Sequence, residues 1–109
     1  MLTMKYLKLS NSGARGWFIG DFPEAAFRTK DFEVCWQTNP RGHAASHYHK
    51  QITEITLVVN GQVLTNGTIY GPGDIYVFEP GDISQTEYLE ETSVLTVKTP
   101  SIPSDKYLL

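Results

Sequence analysis

The chain has 109 residues, 40% hydrophobic and 19% charged, with a formal net charge of −3. This suits one globular domain, and the scattered acids and bases leave no basic footprint for nucleic acid and no polybasic patch for a membrane. The lone cysteine, Cys35, excludes an intrachain disulfide, and the N-terminus soon meets Lys5, Lys8 and Asn11 without a signal-like or spanning stretch, so a reducing, cytoplasmic setting is expected.

Met1–Leu9 is mixed and weakly alternating, and reads as an edge strand or arm. Ser10–Gly16 is a loop by composition, followed by the brief apolar run Trp17–Ile19. Asp21–Phe27 carries the one helix hint: Pro23 suits a first turn and Glu24 a helix N-terminus, for one or two turns at most. Phe32–Thr38 is rich in strand-favouring residues and predicts a strand. Asn39-Pro40-Arg41-Gly42 is a turn, and His43 is a loop residue near the rim of whatever follows.

His47-Tyr48-His49 comes next, and its alternation has chemical content. In an extended strand the two histidines project to one face and Tyr48 to the other. Glu54 has the opposite parity to His49. A turn over Lys50–Thr53 would let a second strand bring its carboxylate back beside the imidazoles. Two imidazoles and one carboxylate can hold a divalent transition metal. In Glu54–Val59, Thr56 and Val58 share the face of Glu54, while Ile55, Leu57 and Val59 cover the other side, which must also pack on something.

Asn60-Gly61 and Asn66-Gly67 are hairpin signals. Gly71-Pro72-Gly73-Asp74 and Glu79-Pro80-Gly81-Asp82 bracket the short strand Ile75–Phe78. Ser84–Leu89 and Ser93–Thr99 are two more strands, and Pro100–Pro103 stops the last. Lys98 and the tail 101–109 carry no chemical signal, although Tyr107-Leu108-Leu109 is apolar enough to dock. Many short strands with turns every few residues predict an all-β sandwich or barrel. Cys35, in an apolar strand, reads as a buried small hydrophobe.

These residues resemble a small cupin: an all-β jelly-roll barrel, or double-stranded β-helix, with at most one short helix. Residues 1–109 would form one such domain. The first cupin motif, about 42–61, is matched by His47-x-His49, the four residues to Glu54 and the six from Glu54 to Gly61; Gly42 is followed by four residues where the motif has five. The second, about 73–88, is matched by Gly73 and Gly81, whereas Glu79, Ser84 and Tyr88 stand where proline, histidine and asparagine are expected. The resemblance implies a metal site at the barrel mouth. With Ser84 a poor ligand, the site reduces to His47, His49 and Glu54, with Gln85 and Glu87 as second-rank ligands if a register shift turned them inward. Iron, manganese, nickel or zinc would each be accepted.

Within the same fold, Arg41-Gly42, His47–Lys50 and Thr53–Ile55 are similar to cupins that isomerise or epimerise nucleotide-linked sugars without metal. That resemblance implies His49 or His47 as general base, a tyrosine such as Tyr88, Tyr76 or Tyr48 as acid, and Arg41 and Lys50 at a diphosphate. A non-catalytic sensor or sugar-binding module is the third reading. Trp36 and Tyr76 are expected on the pocket wall. The partners expected are a small-molecule ligand and, because several strands are apolar on both faces, a second copy in a homodimer to which Met1–Leu9 would lend a strand.

Overall fold

The computed structural model describes residues 2–109; Met1 lies outside them. A short 3₁₀ turn at Leu9–Asn11 is followed by eleven strands: β1 (Trp17–Gly20), β2 (Phe27–Arg28), β3 (Glu33–Asn39), β4 (Ala44–Tyr48), β5 (Thr53–Asn60), β6 (Val63–Thr65), β7 (Thr68–Tyr70), β8 (Ile75–Phe78), β9 (Ile83–Tyr88), β10 (Thr92–Thr99) and β11 (Tyr107–Leu108). They form a six-stranded sheet in the order β2-β1-β3-β10-β5-β8 and a five-stranded sheet in the order β11-β4-β9-β6-β7. All pairings are antiparallel except β1 with β2. Ile52, Val58, Val63 and Val94 are its fully buried aliphatic side chains, while the inward faces of both sheets also carry many polar groups.

Turn chemistry accounts for much of the topology. Thr65 pairs with Thr68, so Asn66-Gly67 is a two-residue hairpin with both residues at positive φ, the twist that suits flanking strands. The two Pro-Gly-Asp turns are copies of each other. Asp74 and Asp82 each donate a backbone N–H to the carbonyl three residues earlier, at 3.0 Å in both, and each carboxylate takes the N–H of that same residue back at 2.8 Å.

Asn60-Gly61 behaves differently from the hairpin expected there. It carries the chain from β5 in one sheet to β6 in the other. The corner is tied down by Thr92, whose hydroxyl accepts from the Gln62 N–H at 3.1 Å. Gly61 has φ +93°, and a Cβ there would lie 2.6 Å from both the Glu91 carbonyl oxygen and the Thr92 Cα, and against the Thr92 hydroxyl. Gly61→Ala should therefore lower stability by about 2 kcal/mol or more, read as a fall in the urea midpoint at unchanged slope.

The helix anticipated at Asp21–Phe27 does not form. Its backbone groups are claimed by the preceding loop: buried Ser12 accepts from the Ala26 N–H and donates to the Glu24 carbonyl, both at 3.1 Å, and Gly13 N–H also reaches Glu24 O at 3.2 Å. A segment this short cannot offset helix nucleation once its carbonyls have other partners. At the N-terminus, residues 2–8 form an exposed arm without strand pairing. The C-terminal tail does dock: β11 pairs with β4, and Tyr107 stacks on Tyr48 with ring centroids 5.2 Å apart.

Candidate metal centre and cavity

His47 and Glu54 come from facing sheets. His47 lies on β4, opposite Ser84 of β9; Glu54 lies on β5, between Phe78 of β8 and Lys98 of β10. His49 follows the end of β4, where its carbonyl accepts the Gly81 N–H at 2.8 Å. Residues 50–52 then cross between the sheets. Asp105 holds this crossing: its carboxylate accepts the backbone N–H groups of Lys50, Gln51 and Ile52 at 3.0, 2.8 and 3.0 Å. The return of the chain that the parity of Glu54 demanded is therefore a change of sheet.

One ligand atom from each of His47, His49 and Glu54 falls within 4.8 Å of the other two. His47 Nε2 is 3.5 Å from Glu54 Oε2, and the imidazoles meet edge to face with centroids 5.0 Å apart. His49 Nε2 and His47 Nδ1 are buried without a hydrogen-bond partner. Unpartnered buried polar atoms are costly, and a metal ion satisfies such a nitrogen directly. Burial, reinforced by the positive charge of Lys98, pushes His49 down to about 4, so its imidazole is neutral at pH 7, the form that ligates metals. Burial would raise Glu54, but its hydrogen bond with His47 and the charge of Lys98 outweigh that and hold the carboxyl below its usual range. The donor set thus fits a divalent transition metal.

His47 and Glu54 border a cavity of about 620 Å³ between the sheets, with His49 buried behind them. Tyr76, Phe78, Tyr88, Trp17 and Phe22 supply apolar wall, and His43 stacks against Tyr88 with centroids 6.0 Å apart. Burial raises the phenols of Tyr76 and Tyr88, the latter to about 12, so both keep their protons and can donate hydrogen bonds at neutral pH. Cys35 is fully buried on the cavity wall, and burial pushes its thiol up to about 12, which leaves it unreactive as a nucleophile.

Six expected site residues lie elsewhere, among them Tyr48, stacked on Tyr107, and Lys50, whose ammonium sits over the Tyr107 ring. Trp36 points to the outer face of the six-stranded sheet, because Glu33, Cys35, Gln37 and Asn39 of β3 take the inward positions. Arg41 is exposed in its turn and does not line the cavity. Gln85 and Glu87 are exposed on the outer side of β9, where both border a shallow surface groove. The register shift that would have turned them inward does not occur, since β9 pairs with β4 in unbroken register from Ala44–Glu87 to Tyr48–Ile83. Ser84 does face inward, but its hydroxyl joins a chain with Thr86 at 2.9 Å and Thr65 at 2.7 Å. Sequence reasoning missed Lys98, Lys106 and Glu33 on the cavity wall. The available signal for Lys98 was its shared parity with Val94 and Thr96 on β10.

No family model matches the sequence. Germin-like protein subfamily T member 3 of Arabidopsis thaliana is 36% identical over 77 residues, covering 61% of this chain; the chain spans about a third (34%) of that protein's length. Among solved structures, a double-stranded β-helix protein of Klebsiella pneumoniae superposes with a TM-score of 0.66 at 25% identity, over 73% of this chain and 71% of the other. Pac13, a nucleoside dehydratase from Streptomyces, superposes with a TM-score of 0.73 over 98% of this chain and 92% of its own, and at 14% identity that likeness is one of fold. Two facing sheets, the His-x-His and glutamate between them, and these similarities give the chain the cupin fold, the double-stranded β-helix.

Proposed function

We propose that this cupin-fold protein binds one divalent transition metal through His47, His49 and Glu54 and uses it to act on, or sense, a small molecule held in the cavity. The observation that carries this reading is the convergence of two imidazoles and a carboxylate within 4.8 Å, with an imidazole nitrogen of each histidine buried and unpartnered. Three protein ligands leave coordination positions open for water or substrate, and a metal there would polarise a bound oxygen. Iron, manganese, nickel and zinc all suit the donor set, and iron would favour an oxygen-using reaction. The two phenols and His43 would position the bound molecule by hydrogen bonding and stacking. The test is metal content by plasma emission on protein purified without an affinity tag, beside the His47→Ala, His49→Ala variant. Near-stoichiometric metal in the native protein alone supports the site; none after reconstitution overturns it.

We further propose a homodimer formed through the outer face of the six-stranded sheet. Trp36, Leu95, Leu57 and Ile75 align in one register row across four strands, and Val34, Val97, Ile55 and Val77 in the next. Trp36, Ile75 and Val77 are 39, 62 and 50% exposed, and neither row holds a charge. A continuous apolar surface of this kind needs a cover, and an uncharged face suits a copy of itself. Wild-type protein should scatter light as a dimer at micromolar concentration, and Trp36→Glu, Ile75→Glu should shift it to monomer. A monomeric wild type would remove the proposal.

A further inference from the structure

We propose that the ligand of this cavity carries a carboxylate, and that Lys98, supported by Lys106 and Arg15, is its anchor. The inference rests on the cavity being the ligand site, and it does not depend on the metal. Lys98 lies on β10, inward, paired in register with Glu54 on one side and Glu33 on the other. Only 9% of it is exposed, and it lines the cavity. Among the described residues its ammonium has no carboxylate within 4.0 Å and no hydrogen-bond acceptor. The carboxylates nearest in register are otherwise engaged, Glu54 with His47 at 3.5 Å and Glu33 as acceptor from Ser101 Oγ at 3.0 Å. What the ammonium does touch is the face of Trp17, 4.7 Å from the ring centroid. A cation–π contact offsets part of the cost of burying a charge, but it leaves the N–H donors of the ammonium free.

Two further cations border the same cavity. Lys106 and Arg15 both line it, and among the described residues neither side chain has an ion-pair partner. Both reach the protein surface; partial desolvation, then the charges of Lys98 and Arg15, push Lys106 below the usual lysine range against the opposing charge of Glu54. Glu24, Glu33 and Glu54 also border the cavity, so its fixed charges cancel while the histidines are neutral. A divalent ion on the trio would leave a net positive cavity, which an anionic ligand complements. The three carboxylates weigh against a dianion such as phosphate and favour a single carboxylate. The apolar wall from Trp17, Phe22, Tyr76 and Phe78 would take the rest of a small organic acid.

The experiment is calorimetric titration with acetate, butyrate and benzoate, each against its uncharged amide, on metal-free and on zinc-loaded protein. At least one acid should bind metal-free wild-type protein at least about tenfold more tightly than its amide. Lys98→Met should lose that preference, Lys98→Arg should keep part of it, and Lys106→Gln should weaken it about threefold. Met keeps most of the length and packing of Lys98 and breaks no hydrogen bond or ion pair, so Lys98→Met is expected to fold, with circular dichroism as the check. Zinc stoichiometry is measured on every variant. Loss of acid preference with full zinc content in Lys98→Met supports the anchor. Equal affinity for acid and amide, undiminished binding by Lys98→Met, or no binding of any acid overturns it. Failure to bind zinc in wild-type protein would instead strike the metal site, leaving the metal-free titration to decide the anchor.

Discussion

Replacing His47 and His49 together by alanine is expected to weaken transition-metal binding by far more than about 100-fold, the loss seen when only a residue behind a ligand is changed. Two of the three converging donors disappear, and a lone glutamate on β5 is an ordinary exchangeable site. The measurement is equilibrium dialysis against zinc, nickel and iron with metal read by plasma emission. A thermal readout should agree: at a free metal concentration about 100 times the dissociation constant, binding stabilises the wild type by about 2.7 kcal/mol. The double variant should show no metal-dependent shift. Equal metal content in the two proteins would mean that the convergence seen here is not a metal site.

In the metal-free protein the same substitutions should cost less stability than large-to-small changes usually do. Truncating a buried side chain forfeits packing, but each of these imidazoles also buries a nitrogen without a partner, a penalty of about 1–3 kcal/mol that alanine removes. On the metal reading proposed above, the trio is held ready at the expense of the apo state.

The places where sequence reading succeeded and failed share a cause. Strand alternation identified β4 and β5 and the shared face of Glu54, Thr56 and Val58, because each strand contained a chemically marked residue that fixed its parity. On β3 the usual rule, apolar inward, points the wrong way. Here the inner face carries Glu33, Gln37 and Asn39, with only Cys35 apolar among them, toward the cavity, and Val34 and Trp36 face out. The same inversion hid Lys98: on β10, Leu95 and Val97 are the outward residues and Thr96 and Lys98 the inward ones. A barrel whose interior is a binding cavity, with an apolar outer sheet, inverts hydrophobic patterning on the strands that line it. Asn60-Gly61 failed for another reason. Its dipeptide specifies a tight turn, but which sheet the next strand joins depends on distant pairing with β9 and on the corner at Thr92.

The second large effect should come from a residue that touches no ligand. Asp105 is 3% exposed, and its carboxylate receives three backbone N–H groups from the segment between His49 and Glu54. Asp105→Ala would strand three donors at once, one of them, Ile52 N–H, fully enclosed. Hydrogen bonds to a charged acceptor contribute about 1.5–3 kcal/mol each and are not additive, so a loss of about 3–5 kcal/mol is expected. Asp105→Asn keeps one acceptor oxygen and should recover part of it. Burial would raise the Asp105 carboxyl, but the three N–H groups outweigh it and hold the folded-state value below 3.8, that of an unperturbed aspartate. A depressed folded value means the stabilisation is complete above the unfolded value and is lost as pH falls through the folded one. In urea titrations the gap between wild type and Asp105→Ala should therefore be widest near pH 7 and should narrow below about pH 4. A gap of constant size down to pH 3 would assign the effect to packing instead of to the ionised carboxylate. Because the same three bonds set the path from His49 to Glu54, the metal site proposed above predicts that Asp105→Ala also weakens metal binding by about 10–100-fold, the range for residues that orient ligands. Full-strength metal binding in a destabilised Asp105→Ala would show that the strands alone position His49 and Glu54.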